Sequence, residues 1–305
     1  MKLLKSIAKR RARKGFTLVE LVVVIAIIAI LMACVVAFAT PIRSMMSNTN
    51  ARSDAITINN CLGNYIERRL AFANDIKVFV GEHYYSSNQT AAYANMYNQH
   101  HSSNDNPRMM IFEFDTTEGN FKVYDLAITS DTMPPEATTM VPVNLVYNND
   151  FYGNYTYFIT CDNLAPESNP MKQKAYLNFR IDSYDFGDSG SKITQDNVKD
   201  YYNFITNKTG TNPLDQYAIY RSGSENVSFG LENIKVEVKY QPAKYADGSP
   251  MYAEDGVTQL ITPVPSISGA SVTRPSSPTE TTAGYDMVVL YNVRKYSVSD
   301  VTIGK

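Results

Sequence analysis

Lys14-Gly15-Phe16-Thr17-Leu18-Val19-Glu20 stands directly ahead of Leu21–Ala39, a run of 19 residues without a charged or strongly polar side chain. As a helix that run reaches roughly 28 Å, about the thickness of one bilayer core. Upstream, the first 14 residues hold seven basic side chains (Lys2, Lys5, Lys9, Arg10, Arg11, Arg13, Lys14) and no acid. Basic flanks stay on the cytoplasmic side, so the chain after Pro41 is expected outside the cell membrane.

Composition supports that division. The 305-residue chain has a formal charge of −2, but removing the seven leader charges leaves 21 basic against 30 acidic residues, a balance of −9. An acidic body repels phosphate, which argues against a nucleic-acid reader. Three cysteines exclude a disulfide-dense scaffold, and three histidines leave little for a histidine-rich metal enzyme. At 44% hydrophobic residues the body has material for a core.

A conventional secretory signal is the plain alternative, since Ala37-Phe38-Ala39 has the A-x-A form of a cleavage site. Against it, the apolar run exceeds an ordinary signal core, Glu20 places a carboxylate at its start, and a helical pattern continues beyond the cut.

At Lys14–Glu20 the sequence resembles the class III signal of type IV pilins and type II secretion pseudopilins. There, a short basic leader ends in Gly, the next residue is usually Phe, and the fifth mature residue is Glu; here these are Gly15, Phe16 and Glu20. The resemblance covers residues 1 to about 40. It implies removal of the leader 1–15 by a membrane prepilin peptidase between Gly15 and Phe16, and N-methylation of Phe16. It also implies partners: other pilin or pseudopilin subunits, and an inner-membrane assembly platform with its motor. The physical reading is compatible. Gly15 offers a protease bare backbone. Cleavage frees an amine at Phe16, one turn from Glu20, so the two charges can pair within a chain. In the family's assembly scheme Glu20 meets the Phe16 amine of a neighbouring subunit. A carboxylate in hydrocarbon needs such a partner, so the pair would set register.

Apolar or small residues at 42, 45, 46, 49, 55, 56, 58, 62, 65, 66, 70 and 73 recur at helical spacing. The expectation is one long helix over 16–73, with its membrane anchor at 21–39 and an amphipathic second half. Pro41 is a candidate for a kink or a locally melted turn.

Residues 74–305 read as an exported β-rich head. Ala175-Leu177-Phe179-Ile181 and Ile234-Val236-Val238-Tyr240 alternate with polar residues as half-buried strands do. Met109–Phe114 and Phe121–Ile128 flank a turn at 116–119 and predict a hairpin. Leu145–Tyr147, Tyr155–Cys161, Tyr217–Arg221 and Met287–Val293 are further strand candidates, and Thr194–Asn207 a short helix. The stretch from His83 to Pro107 is polar and aromatic, and its pattern assigns it to neither helix nor strand. Fourteen of the 23 residues in 262–284 are Ser, Thr or Pro, which predicts an extended loop before a last strand. The fold class expected is α+β: a long N-terminal helix, transmembrane in its first half, packed on an antiparallel β-rich head, a pilin-like lollipop.

Candidate chemistry is sparse. Cys61 on the helix stripe and Cys161 at a strand end could form a disulfide outside the membrane, or remain two buried thiols; Cys34 is packing in the membrane. His83, His100, His101 and Asp105 have no regular ligand spacing and read as a solvated loop rather than a metal site. Asp182, Asp185 and Asp188, around Gly187 and Gly190, fail calcium-loop spacing and read as an acidic turn. Asp247-Gly248 and Asp255-Gly256 predict turns. The 22 tyrosines suit either half-buried strand positions or an adhesive surface. With no nucleophile elbow, P-loop or zinc-protease motif, no catalytic residue, metal or cofactor is assigned. The expected function is a structural subunit of a pilus or of a secretion or DNA-uptake pseudopilus, and its length favours a minor or large subunit. The alternative is a membrane-anchored adhesion protein that does not polymerise.

Overall fold

The computed structural model describes residues 17–81, 87–115, 120–132, 145–147, 149–152, 155–167, 169, 172–185, 200–201, 204, 212, 214–219, 225–274 and 287–295. The chain divides into two compact units at Ala51/Arg52. In the first, residues 17–50 are all exposed, and all but Thr17 lie in helix α1 (Leu18–Leu70), whose final third belongs to the second unit. Helical structure runs through Pro41 without a break, so of the kink or melted turn expected there, the melted turn is not seen.

The second unit is β-rich. Its elements after α1 are β1 (Asp75–Val80), α2 (Ser87–His100), β2 (Asp105–Asp115), β3 (Asn120–Ala127), β4 (Leu145–Tyr147), α3 (Asn149–Tyr152), β5 (Thr156–Pro166) and β6 (Ala175–Tyr184), then β7 (Glu225–Leu231), β8 (Lys235–Pro242), β9 (Ile261–Ser268), β10 (Ala270–Thr273) and β11 (Met287–Arg294). The strands form a six-stranded sheet in the order β10-β1-β11-β2-β3-β4, a three-stranded sheet β5-β6-β7 and a two-stranded ribbon β8-β9. Pairing is antiparallel throughout except β1 with β10. The fold is α+β, a long apolar N-terminal helix with antiparallel β-rich sheets.

Both faces of the large sheet are covered. On one, Ile76, Val78, Met110, Phe112, Val123 and Val289 join a core shared with β5-β6-β7 and with Leu62, Ile66 and Leu70 of α1. On the other, Phe79, Met109, Ile111, Val288 and Leu290 meet Tyr93 and Met96 of α2. That is why β2 and β11 read as nearly continuous apolar runs, whereas β6 alternates: Ala175, Leu177, Phe179 and Ile181 are at most 1% exposed between half-buried Tyr176, Asn178 and Arg180.

The α1 stripe docks through small and large residues together. At Gly63, an added Cβ would lie 2.7 Å from Cγ2 of Val227, so the missing side chain is what lets β7 approach the helix. A polar clamp reinforces the contact. Asp125 on β3 is 5% exposed; it accepts from Arg108 Nε at 2.8 Å, Tyr291 OH at 3.0 Å and Tyr65 OH at 3.1 Å, and Arg69 Nε stands 3.4 Å away. Burial, with the Asp125 charge, pushes the Tyr65 and Tyr291 hydroxyls well above the ordinary phenol range.

Several expectations are corrected here. Tyr217–Arg221 is not a strand as far as it is described: Asp215–Tyr217 is a 3-10 turn and Ala218 makes a single bridge to Tyr184, while 220–221 lie outside the described residues. The Ser/Thr/Pro-rich 262–284 is not a loop in its first half, which builds most of β9 and all of β10; 275–286 lie outside the described residues. Alternating wet and apolar side chains let a strand form despite its prolines. Within 83–107, which the sequence pattern leaves unassigned, the structure places α2 and the start of β2. Of the helix expected at 194–207, residues 200, 201 and 204 are described and are helical. The 116–119 turn lies outside the described residues, but its strands pair as expected, with Phe114 opposite Phe121 and Glu113 opposite Lys122.

Candidate assembly and processing segment

The N-terminus of α1 is held by a reciprocal capping box. The backbone N–H and hydroxyl of Thr17 donate to Glu20 Oε2 at 2.9 and 3.0 Å, and the backbone N–H of Glu20 donates to Thr17 Oγ1 at 3.2 Å. The first helical bond, from Leu21 N–H to Thr17 O, follows at 3.1 Å. Thr17 is thus the N-cap and Glu20 the third helical residue, satisfying two donors that a helix start otherwise leaves open. The carboxylate also sits at the positive end of the helix dipole. Both of these bonds to the carboxylate fall on Oε2. The Thr-x-x-Glu spacing carries this signal in the sequence, where the apolar run and the cleavage pattern draw attention first.

Glu20 opens a stretch with the composition of a membrane span: mean hydropathy reaches 3.4 over 18 residues of α1, none of them buried. Side chains as large as Ile25, Leu31 and Phe38 are 58–66% exposed. Leaving so many in water costs on the order of 1.5–3 kcal/mol apiece, so this segment requires lipid or other helices around it. Gly15 and Phe16 lie outside the described residues.

The remaining candidates are dispersed. Cys61 is exposed on α1, Cys161 is buried on β5, and Cys34 is exposed in the apolar run; no disulfide joins Cys61 to Cys161 here. Burial pushes the Cys161 thiol up to about 12. His83 lies outside the described residues. His100 is not in a solvated loop, because it ends α2 inside a network: Nε2 is 3.1 Å from Asp75 Oδ2, while Nδ1 is 3.4 Å from Asp105 Oδ2 and 3.2 Å from Asn292 Nδ2. Asn292 also donates to Asn74 Oδ1 at 2.6 Å and accepts from the Asn106 N–H at 3.1 Å. The network ties α2 to β1, β2 and β11, which is a structural role. Exposed His101 stacks on Tyr97 at 4.9 Å.

Asp182 is buried, accepting from Arg180 Nε at 2.7 Å and from the Tyr201 hydroxyl. Asp185 is exposed, and Gly187, Asp188 and Gly190 lie outside the described residues. Among the described residues no group of three or more His, Cys, Asp or Glu is placed to hold a metal ion. Asp247 and Asp255 form the expected turns, each accepting backbone N–H bonds two residues on, from Ser249 and Val257, at 2.9 Å. Tyr152, Tyr157, Tyr184 and Tyr291 are core residues, whereas Tyr240, Tyr245 and Tyr252 are exposed.

Comparison of the chain with curated proteins and with solved structures gives no match. Residues 10–34 match the family model for the prokaryotic N-terminal methylation motif, and so the cap at Thr17–Glu20 and the exposed helix behind it carry the signal of the type IV pilins and pseudopilins.

Proposed function

We propose that this chain is the precursor of a pilin-like structural subunit. Prepilin peptidase removes residues 1–15, Phe16 is N-methylated, and α1 then leaves the bilayer to pack against other subunits in a type IV pilus or a secretion or DNA-uptake pseudopilus. An inner-membrane platform and its motor drive the transfer. Before assembly the chain crosses the membrane once, with its leader in the cytoplasm and its β-rich unit outside.

One observation carries the reading: the methylation motif at 10–34 runs into a helix whose residues 18–50 are all exposed. Such a helix is stable in lipid as a single copy, and in water only among its own kind. Glu20 supplies register. Oε2 accepts both bonds of its own cap, and the same carboxylate would pair with the Phe16 amine of the next subunit. The body's part is to carry surface outward, and its length suits a large or minor subunit.

Glu20→Ala tests this. The variant should still be cleaved after Gly15 but should not enter fibres. A variant that assembles as well as the parent would contradict the proposed role of Glu20. A chain displayed as a monomer whether or not Glu20 is present would instead support the anchored adhesion protein.

A further inference from the structure

A second unpartnered surface lies far along the sequence. Outside α1, most of the exposed large apolar side chains among the described residues belong to the arm formed by β8, β9 and the segment 243–260: Tyr240, Tyr245, Tyr252, Val257, Leu260 and Ile261. The register sorts the arm into two faces. Val236 pairs with Ile267, Val238 with Pro265, Tyr240 with Pro263 and Pro242 with Ile261, so one face is apolar from end to end. Lys235, Glu237, Lys239 and Gln241 occupy the other, with Ser268, Ser266, Val264 and Thr262.

The apolar face outruns its cover. Val236 at the base is 6% exposed, whereas Tyr240 and Ile261 at the outer end are each 64% exposed. A two-stranded ribbon is marginal by itself, and a continuous exposed apolar face marks an interaction surface. Strand addition at the β9 edge is blocked. Proline has no N–H, so a ladder that includes Pro263 and Pro265 must turn both nitrogens away from β8. The outer edge of β9 therefore lacks those two donors, and docking uses the face.

Charge indicates the occupant. Between the strands stand Lys244, Asp247, Glu254 and Asp255, a balance of −2, which disfavours an anionic lipid surface. The same chain offers a complementary patch. Ile42, Met45 and Met46 of α1 are 53–70% exposed just beyond the apolar run. Arg43 lies among them, and from 42 to 58 α1 carries Arg43 and Arg52 against Asp54 alone.

We propose that the arm of one copy lies on the 42–46 stretch of α1 in a second copy. Tyr240 and Ile261 cover Ile42, Met45 and Met46, and the acidic turns face Arg43. Because the two patches differ, each copy gives one and receives one, a heterologous contact that repeats along a filament instead of closing a dimer. The inference rests on the assembly reading above and adds a contact outside the membrane-derived helix bundle.

The test uses the full-length precursor, expressed with its processing and assembly machinery in a Cys34→Ala, Cys61→Ser background. Met45→Cys and Ile261→Cys are added singly and together, and sheared fibres are treated with a flexible bismaleimide. The expected result is a ladder of covalent multimers with both cysteines and monomers with either alone. Fibres that form yet stay monomeric with both cysteines overturn the arm contact and leave the assembly reading standing. If the parent makes no fibres, both fail. Tyr240→Lys with Ile261→Lys alters exposed positions only, and it should cut fibre yield about tenfold with cleavage after Gly15 unchanged; full yield also overturns the contact.

Discussion

Replacing Asp125 with alanine should loosen α1 from the large sheet. The carboxylate is 5% exposed and serves Arg108, Tyr291 and Tyr65 at 2.8–3.1 Å, with Arg69 at 3.4 Å. Arg69 is 46% exposed and turns to water at little cost. Arg108 is 23% exposed and has less freedom, and the Tyr291 hydroxyl loses its acceptor inside the core. Removing one partner of a buried pair costs about 3–5 kcal/mol. For a folded unit of this size that lowers the melting temperature by on the order of 10 °C. Asp125→Asn keeps an acceptor but loses the charge, and should cost less, about 1–3 kcal/mol. The chain has no tryptophan and 22 tyrosines, so near-ultraviolet circular dichroism of tyrosine follows unfolding of the mature protein in detergent. An alanine variant within about 0.5 kcal/mol of the parent would refute the clamp.

Gly63→Ala gains about 1 kcal/mol of helix propensity but drives a methyl to 2.7 Å from a branched Val227 carbon. Overpacking at about 1–3 kcal/mol should cancel or outweigh the gain, and a clearly stabilised variant in denaturant titration would show that α1 is free to move off β7. In the native protein at mildly alkaline pH, maleimide should label Cys61 and spare Cys161 until denaturant is added, because Cys161 is buried and its thiol is pushed up to about 12; mass spectrometry of the labelled peptides reads the difference. Alkali should unfold the β-rich unit. Burial raises the Tyr157, Tyr184, Tyr201 and Tyr291 hydroxyls above their unfolded value of about 10, so the folded state holds more protons there and stability is lost as pH climbs past that value. A melting temperature that stays flat across that range would contradict their burial.

Legibility followed how far a segment's surroundings are written in its own residues. The apolar half of α1 was plain because lipid-compatible side chains occupy every position. β6 was plain because one face is core and the other wet, and β11 because both faces are core. α2 was not, since Tyr93 and Met96 are its principal buried apolar anchors and the remainder, apart from Tyr97 and His100, is Asn, Gln, Ser, Thr and Ala. β1 is a short run directly behind the helix, and in β7 Gly230 and Ser228 break the apolar pattern. In β9, prolines read as loop signals, although on one side of an edge strand they remove donors without cost to the ladder. The Asp125 clamp joins four elements that are distant in sequence, and spacing could not have assembled it. At the N-terminus, motif and geometry converge on Glu20, and the cap at Thr17 adds a local reason for that acid to stand there.

Everything turns on the bond between Gly15 and Phe16. N-terminal sequencing with mass analysis of the mature protein, recovered from cells that have a working prepilin peptidase, tests it most directly. The mature chain should begin at Phe16 and carry one added methyl group. An intact leader, or a chain beginning at Thr40, would contradict it.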